Sequence, residues 1–308
     1  MQRSLAIAEC HFHSRLTAFS FTRRVCLQTT DLMGWLGAAI SPYNNGAFTM
    51  DLQNKVALVT GGSSGMGRSG ALLLAKHGAK VVVAARRETE GQAVVDQIRQ
   101  WGGESSFIKT DVSQPAEIKA LIQKTVSLYG QLDYAFNNAG TEGAFAPMPQ
   151  LTEENWDHTI DTNLKAVWLC LKYEMEQMIK QGTGGAIVNT SSWLAKGGML
   201  GSTIYSASKG GLDGMVRAAA LEGAQHGIRV NNVNPGIIDT EMFRRFGNPD
   251  DPSDAVVQAF THHIPLKRLG ESEEVAEAVV WLCSKATAYI TGQTIAVDGG
   301  FAIPGFRY

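Results

Sequence analysis

Short apolar runs alternate with longer amphipathic segments from residue 55 almost to the end of the chain. Runs such as "KVALVT" and "KVVVAA" are rich in β-branched residues and almost free of polar ones, which is typical of parallel strands buried on both faces. The pattern predicts seven strands, at residues 55–60, 80–85, 106–109, 132–137, 185–192, 228–236 and 293–300.

Helical patterns separate these runs. A first helix ends at Gly78, and later helices are predicted at 89–101, 115–129, 205–226 and 272–284. Residues 152–181 predict one long helix or a close pair, opened by a Thr-x-x-Glu-like cap signal at Thr152. Strands that alternate with helices of this length predict an α/β fold with a parallel sheet and helices on both faces, in a single domain.

Composition narrows the range of partners. The chain has 308 residues, 44% of them hydrophobic and 18% charged, and a net charge of −2. Such a balance gives no electrostatic reason to expect nucleic acid or an anionic membrane. No apolar run approaches the roughly 20 residues that span a bilayer. The four cysteines are scattered without a CxxC pair, so neither a metal site nor a disulfide framework is predicted.

Residues 1–49 differ from residues 50–308. They lack a clear amphipathic period, and they carry four arginines and one acidic residue before Asp31. We expect either an upstream start codon or a disordered extension, with Met50 as the functional beginning. A transit peptide is the alternative. The expected location is therefore the cytoplasm, unless this extension directs the chain to an organelle.

A glycine-rich turn, "TGGSSGMG" at 60–67, joins the first strand to the first helix. Gly61, Gly65 and Gly67 permit positive φ and close backbone approach, and the helix N-terminus offers free N–H groups to an anion. The spacing is neither G-x-G-x-x-G nor a Walker A loop. Its position in a βαβ unit predicts a binding site for the pyrophosphate of a dinucleotide.

The end of the second strand bears on which dinucleotide binds. Ala85 stands where an acidic residue would bond the ribose 2′-hydroxyl of NAD, and Arg86 and Arg87 follow it. Guanidinium groups can hold a 2′-phosphate, and Ser63 and Ser64 add hydroxyl donors. We therefore favour NADP(H) over NAD(H). The alternative is that the two arginines merely begin a solvated helix.

The segment "YSASK" places Tyr205 four residues before Lys209, so both lie on one face of a helix. The pair alone is compatible with two ordinary surface residues. It is equally compatible with a proton donor and the cation that tunes it.

Eight motifs in order settle this choice. "TGGSSGMG", "DV" (111–112), "NNAG" (137–140), "TN" (162–163), "NTSS" (189–192), "YSASK", "NPG" (234–236) and "VDGG" (297–300) together resemble the short-chain dehydrogenase/reductase family over about residues 51–303. The resemblance implies a Rossmann-like, doubly wound sheet of about seven parallel strands. It also implies hydride transfer between a nicotinamide cofactor and a small carbonyl or alcohol substrate.

The resemblance also implies roles for single residues. Tyr205 is the expected general acid/base, Lys209 its partner, and Ser192, rather than its neighbour Ser191, the hydrogen-bond donor to the substrate oxygen. Asn163 resembles the asparagine that holds a water in a proton relay. A nearby ammonium and an oxidised nicotinamide are expected to pull the pKa of Tyr205 down toward the working range.

The expected cofactor contacts lie in the glycine turn and after the second, third, fourth and sixth strands. They are Gly61, Ser63, Ser64, Gly65, Met66, Gly67, Arg86, Arg87, Asp111, Val112, Asn138, Ala139, Gly140, Tyr205, Lys209, Pro235, Gly236, Ile238 and Thr240. For Asn138, a structural amide that bridges strands is the alternative.

Candidate substrate residues follow the fourth, fifth and sixth strands: Glu142, Trp193, Leu194, Met199, Phe243 and Phe246. Glu142 either recognises a hydroxyl or caps a loop, and Trp193 either walls the pocket or packs under the sheet. Residues 239–270, the longest irregular stretch, form either a lid or a surface excursion.

Three functions remain open at this stage. The first is an NADP(H)-dependent carbonyl reductase or alcohol dehydrogenase, and the second is an NAD-dependent dehydrogenase of a sugar, polyol or cyclic alcohol. The third is a non-catalytic dinucleotide-binding regulator, which would have no need of the intact Ser–Tyr–Lys–Asn set. A homo-tetramer or dimer is expected, with interfaces near 163–178, 212–222 and 292–308.

Overall fold

The structure is a computed structural model that describes residues 50, 52–251 and 253–304. The predicted N-terminal extension, residues 1–49, and the last four residues of the predicted C-terminal interface lie outside the described residues. Within the described part, no helix is both long and apolar enough to cross a bilayer.

Seven strands, all paired in parallel, form one sheet in the order β3-β2-β1-β4-β5-β6-β7. They are β1 Val56–Thr60, β2 Lys80–Ala85, β3 Ser105–Lys109, β4 Tyr134–Asn137, β5 Gly185–Thr190, β6 Ile228–Pro235 and β7 Thr294–Val297. The strand order reverses between β1 and β4, which opens a crevice at the carboxyl edge of the sheet. The predicted Rossmann-like fold of about seven parallel strands is confirmed.

Eight α-helices are described between and after these strands. They are α1 Gly65–Lys76, α2 Glu88–Gln100, α3 Pro115–Tyr129, α4 Glu153–Ile160, α5 Ala166–Gln181, α6 Thr203–Ala224, α7 Ala255–His263 and α8 Ser272–Cys283. The last strand is shorter than predicted, because the Asp298 carboxylate accepts hydrogen bonds from the N–H groups of Gly300 and Ala302 and turns the chain.

The predicted long helix at 152–181 is a close pair joined by a π-helical turn, Asp161–Lys165. Thr152 caps α4 as predicted, but its partner in the capping box is Asn155 and not a glutamate. A π-helical turn widens the helix by one residue and is frequent at functional sites. Here the turn carries Asn163.

Residues 239–270 are not irregular throughout, so that prediction is wrong for α7. Asp254 begins α7 by accepting hydrogen bonds from the N–H groups of Val256 and Val257. Phe243 and Val257 are buried in a small core of this segment's own. The segment is therefore a packed structure and not a loose surface excursion.

Successive residues of the central strands pack on opposite layers of helices. Leu58 and Val82 belong to a core formed with α3, α5 and α6. Their neighbours Val59 and Val83 belong to a core formed with α1, α2 and α8. Because both faces of the sheet are covered, the sequences of these strands are continuous apolar runs and do not alternate between apolar and polar residues.

One acidic side chain lies inside the core. Glu174 on α5 is fully buried, and its Oε2 accepts a hydrogen bond of 2.9 Å from Asn137 Nδ2. Burial raises the pKa of Glu174 to about 8, against the opposing influence of the Asn137 hydrogen bond. Glu174 is therefore neutral over most of the physiological range.

Replacing this side chain by an isosteric amide should change how stability depends on pH. In the unfolded chain Glu174 ionises near its ordinary pKa of 4.5, whereas in the fold it stays protonated up to about pH 8. The wild type should therefore lose several kcal/mol of stability between about pH 4.5 and pH 8 through this group. Glu174→Gln should lose correspondingly less, as measured by urea denaturation at pH 5 and pH 8. Parallel losses in the two proteins would contradict the assigned protonation state.

Candidate active site

The glycine turn has no space for a Cβ atom at Gly61 or Gly67. Gly61 and Gly65 have φ of +65° and +49°, in the left-handed region. A Cβ at Gly67 would lie 2.2 Å from the Gly61 carbonyl oxygen and 2.5 Å from Asn138 Nδ2. No acidic residue occupies the first turn of α1. The turn thus presents an unobstructed helix N-terminus, which suits a phosphate group.

Asn138 ties this turn to the strands beside it. Its backbone N–H and that of Ala139 donate to Thr60 Oγ1, at 3.1 and 3.3 Å. Its side-chain Nδ2 donates to the Gly61 carbonyl at 3.4 Å, and its Oδ1 accepts from Thr190 Oγ1 at 3.2 Å. Asn138 therefore bridges strands, as the structural alternative proposed, and it also borders the cleft described next.

A cleft of about 380 Å³ runs along the carboxyl edge of the sheet. Most of the predicted cofactor residues line it: Gly61, Ser63, Ser64, Gly65, Met66, Arg86, Arg87, Asp111, Val112, Asn138, Ala139, Gly140 and Thr240. Gly67, Tyr205, Lys209, Pro235, Gly236 and Ile238 do not line it. Gly236 instead allows close contact with Asp298, since a Cβ there would lie 2.7 Å from the Asp298 Cβ.

The two predicted arginines have different surroundings. Arg87 donates to the Ser64 hydroxyl and, at 2.9 Å, to the Glu241 carboxylate from the segment after β6. Arg86 is exposed and borders the same cleft. The charge of Arg87 is thus partly balanced within the protein, which leaves Arg86 as the better placed partner for an added phosphate.

Tyr205, Lys209 and Ser192 meet at one end of this edge. The Ser192 side chain lies near enough to the Tyr205 hydroxyl to lower the pKa of that phenol. Lys209 Nζ donates to the Thr190 carbonyl at 2.8 Å and lies 5.7 Å from the centre of the Tyr205 ring. One helical turn therefore brings the phenol and the ammonium together beside the serine at the end of β5.

The neighbouring serine faces elsewhere. Ser191 Oγ donates to Asp213 Oδ1 at 2.8 Å and to the Lys209 carbonyl at 3.2 Å, both within the buried side of α6. This geometry supports the choice of Ser192 over Ser191 as the residue beside Tyr205.

Asn163 is fully buried and holds the loop after β4. Its Oδ1 accepts from the Thr141 N–H at 2.8 Å, and its Nδ2 donates to the Thr141 carbonyl at 2.8 Å and to Ser208 Oγ at 3.3 Å. A Cβ at Gly140 would lie 3.1 Å from Asn163 Oδ1 and 3.7 Å from Lys209 Nζ. Asn163 Oδ1 and Lys209 Nζ thus both lie beside Gly140, while the water-holding role of Asn163 stays a prediction.

Burial dominates the ionisation of this pair. It raises the pKa of Tyr205, and Glu142 adds to that rise while the hydrogen bond to Ser192 opposes it. The direction is opposite to the predicted pull, because removal of the phenol from water outweighs its neighbours in the protein alone. Burial lowers the pKa of Lys209 to about 8, and Asp213 opposes that change.

An aromatic wall stands beside Tyr205. The Phe145 ring lies 6.0 Å from the Tyr205 ring and meets Phe246 edge to face at 5.7 Å. Phe246 and Met199, both predicted substrate residues, are exposed. Phe145 was not predicted from the sequence, in which only its aromatic side chain in the loop after β4 could have indicated a role.

The other predicted substrate residues differ in accessibility. Phe243 and Leu194 are buried, and Trp193 packs edge to face on Phe301 at 4.8 Å. Trp193 thus packs on the small core around Phe243 and Val257, and not under the sheet. Glu142 lines the cleft and forms an ion pair with Arg245. Arg245, which sequence reasoning also missed, joins the loop after β4 to the segment after β6.

Known proteins resemble this chain over most of its length. A family model described as enoyl-(acyl carrier protein) reductase matches residues 61–302. A short chain dehydrogenase/reductase, astE, of Aspergillus oryzae is 40% identical over 82% of this chain and 96% of its own length. A cyclohexanol dehydrogenase of an Acinetobacter species is 41% identical over 80% of this chain and 95% of its own. The crystal structure of a levodione reductase superposes with a TM-score of 0.78 at 32% identity, over 82% of this chain and 99% of that one.

The chain belongs to the short-chain dehydrogenase/reductase family. It is an oxidoreductase that acts on alcohol or carbonyl groups and binds a nicotinamide dinucleotide. The residues present fit such a cofactor. The absence of Cβ atoms at the glycines of the turn keeps its backbone accessible. The cleft beside the turn is lined by Arg86 and Asp111 on one side and by Gly140 on the other.

A methyl group at Gly67 should damage the cofactor site of this dehydrogenase/reductase. Gly67→Ala places a Cβ against the Gly61 carbonyl, so the turn must shift and the Kd for dinucleotide should rise at least about tenfold. Gly214→Ala is the matched control, because Gly214 is an exposed helical residue with open space around its Cβ position. Calorimetric titration with NADPH and NADH measures both. Equal affinities in the two variants would rule out the turn as the binding element.

Proposed function

We propose that the protein is an NADP(H)-dependent oxidoreductase that interconverts a carbonyl group and a secondary alcohol, with Tyr205 as the general acid/base. The observation that carries the proposal is the convergence of Ser192 and Tyr205 with Lys209, whose ammonium lies beside Gly140 on the lining of the cleft. Asn163 Oδ1 lies beside the same Gly140.

The chemistry requires hydrogen-bond donors at the substrate oxygen. Reduction adds a hydride to the carbonyl carbon, and negative charge develops on the oxygen. When bound, the nicotinamide supplies that hydride, or accepts it in the reverse direction. Ser192 and Tyr205 donate hydrogen bonds to the oxygen, and Tyr205 delivers the proton that completes the alcohol.

Lys209 serves this proton transfer through its charge. An ammonium near a phenol favours the phenolate that remains once the proton has left. The hydrogen bond from Lys209 Nζ to the Thr190 carbonyl fixes the ammonium on the Tyr205 side of α6. Burial of Tyr205 keeps the phenol protonated before transfer, as a general acid requires.

Arg86 supports the choice of NADP(H). It borders the cleft beside Ala85, a residue with no carboxylate of its own, and the Glu241 carboxylate in the same cleft pairs with Arg87. An NAD-dependent dehydrogenase of a cyclic alcohol, sugar or polyol is the second candidate. Two observations favour this second candidate. The Glu241 carboxylate forms an ion pair with Arg87, and the chain is similar to a cyclohexanol dehydrogenase.

The aromatic wall supports a substrate with an apolar body. Phe145 and Phe246 present ring surface beside Tyr205, and cyclohexanol, the substrate named for one relative, is a cyclic secondary alcohol. A ring of this kind would lie against Phe145 while its oxygen reaches Ser192 and Tyr205.

Exposed apolar side chains support the expected dimer or tetramer. Trp168 on α5 is 50% exposed and Leu221 on α6 is 80% exposed. Both lie in the helical segments named from the sequence as interfaces. Association of these helices with a second copy would remove that surface from water.

Loss of the Tyr205 hydroxyl should abolish turnover without loss of fold. Tyr205→Phe should lower kcat for ketone reduction by about 10²–10⁴-fold, because no other group donates the proton. Tyr289→Phe is the matched control, since Tyr289 is fully exposed. The assay follows NADPH at 340 nm with a panel of cyclic ketones, aldehydes and diketones. A Tyr205→Phe enzyme that keeps more than about a tenth of wild-type turnover would refute the assigned role.

Cofactor preference should depend on Arg86. Arg86→Gln should raise the Kd of NADPH about tenfold or more and leave that of NADH nearly unchanged, because only NADPH carries the 2′-phosphate. Arg268→Gln, which removes an exposed arginine paired with Glu274, is the control. Fluorescence titration gives both constants. Wild-type affinities that are equal for NADPH and NADH would favour the NAD-dependent alternative.

A further inference from the structure

Three asparagines form a side-chain ladder inside the sheet. Asn137, Asn189 and Asn232 are register partners on β4, β5 and β6, and all three are buried. Asn137 Nδ2 donates to Asn189 Oδ1 at 3.1 Å, and Asn189 Nδ2 donates to Asn232 Oδ1 at 3.0 Å. The ladder ends on α6, where Asn232 Nδ2 donates to Asp213 Oδ1 at 3.1 Å.

The ladder has a direction. Each amide donates toward β6, so the three side-chain dipoles align with their positive ends toward Asp213. Hydrogen bonds in such a chain strengthen one another in a medium of low dielectric constant. At the opposite end Asn137 donates to Glu174, which burial keeps neutral.

Asp213 receives more donors than the ladder alone supplies. Ser191 Oγ donates to its Oδ1 at 2.8 Å, and Asn234 Nδ2 donates to its Oδ2 at 3.4 Å. Several hydrogen bonds to a carboxylate favour its charged form even when it is buried. Asp213 is thus built to hold a negative charge within the fold.

This charge lies one helical turn beyond Lys209 on the same face of α6. Ser191 lies between the two, because its Oγ is also 3.2 Å from the Lys209 carbonyl oxygen. The other groups around Lys209 carry no opposing charge. They are the Tyr205 phenol on α6, the Thr190 carbonyl on β5 and the Asn163 amide. Glu142, on the loop after β4, acts on Tyr205. Asp213 is the carboxylate that opposes the loss of charge on the buried lysine.

We propose that Asp213 is a positioning residue whose buried negative charge keeps Lys209 in its ammonium form. Asp213 acts on Tyr205 only through Lys209. The effect on Tyr205 rests on the proposed function, whereas the charge state of Lys209 can be measured without turnover.

The test compares wild type, Asp213→Asn and Glu174→Gln. Asp213→Asn keeps the size and shape of the side chain and removes its charge. The new amide can donate to Asn234 Oδ1, which has no partner among the described side chains, once the Asn234 side chain rotates. Glu174→Gln perturbs the far end of the same ladder and serves as the control. The ¹³Cε–¹Hε signal of Lys209, in lysine-labelled protein and assigned with Lys209→Met, reports protonation from pH 6 to 10.

In Asp213→Asn the Lys209 midpoint should fall by about one pH unit, because one opposing charge has been removed. Glu174→Gln should keep the wild-type midpoint. The alkaline limb of kcat/KM for ketone reduction should move with the Lys209 midpoint. If Asp213→Asn does not fold, Asp213→Ser provides the same comparison, since its hydroxyl is small and neutral.

Equal midpoints in wild type and Asp213→Asn would overturn the inference and leave Asp213 with a structural role only. An equal shift in Glu174→Gln would also overturn it, because disturbance of the ladder would then explain the change. A lowered midpoint without turnover on any substrate would uphold the charge assignment and count against the proposed function instead.

Discussion

Coverage of the parallel sheet on both faces is the constraint on which the rest of this molecule depends. Helices bury the alternate side chains of β1, β2, β4 and β5 in two separate cores, so the middle of each strand has no place for chemistry. In β1, β4 and β5 the buried polar side chains lie toward the carboxyl ends of the strands, where Thr60, Asn137 and Thr190 occur. The chemistry of the protein follows from what is collected along that one edge.

Polar side chains just inside this edge must satisfy one another, because water does not reach them. Asn137, Asn189 and Asn232 do so across three strands, and the chain of donors ends on a carboxylate instead of in solvent. Two buried acids at the ends of one ladder have different surroundings. Glu174 accepts from one donor and is kept neutral by burial, whereas Asp213 accepts from three side chains.

Local patterns in the sequence were sufficient for the strands and the glycine turn, because each depends on residues close together in the chain. The Ser192–Tyr205–Lys209 set was implied instead by the resemblance of eight motifs along the chain to one family. Contacts between distant residues were not predictable. Arg87 pairs with Glu241 across 154 positions and Arg245 with Glu142 across 103, and neither pair leaves a trace in spacing. The ladder requires the strand register, and the raised pKa of Tyr205 requires knowledge of its burial.

The segment after β6 shows why function and stability are difficult to separate in this fold. It supplies Glu241 to the arginine beside the glycine turn, Arg245 to Glu142, and Phe246 to the aromatic wall. Its own small core, around Phe243 and Val257, fixes the spacing of these three side chains. Repacking of that core would therefore shift the cofactor end and the substrate end of the cleft together. Phe145 contributes to the same aromatic wall from the loop after β4, outside that core, so it can be replaced without repacking the segment after β6.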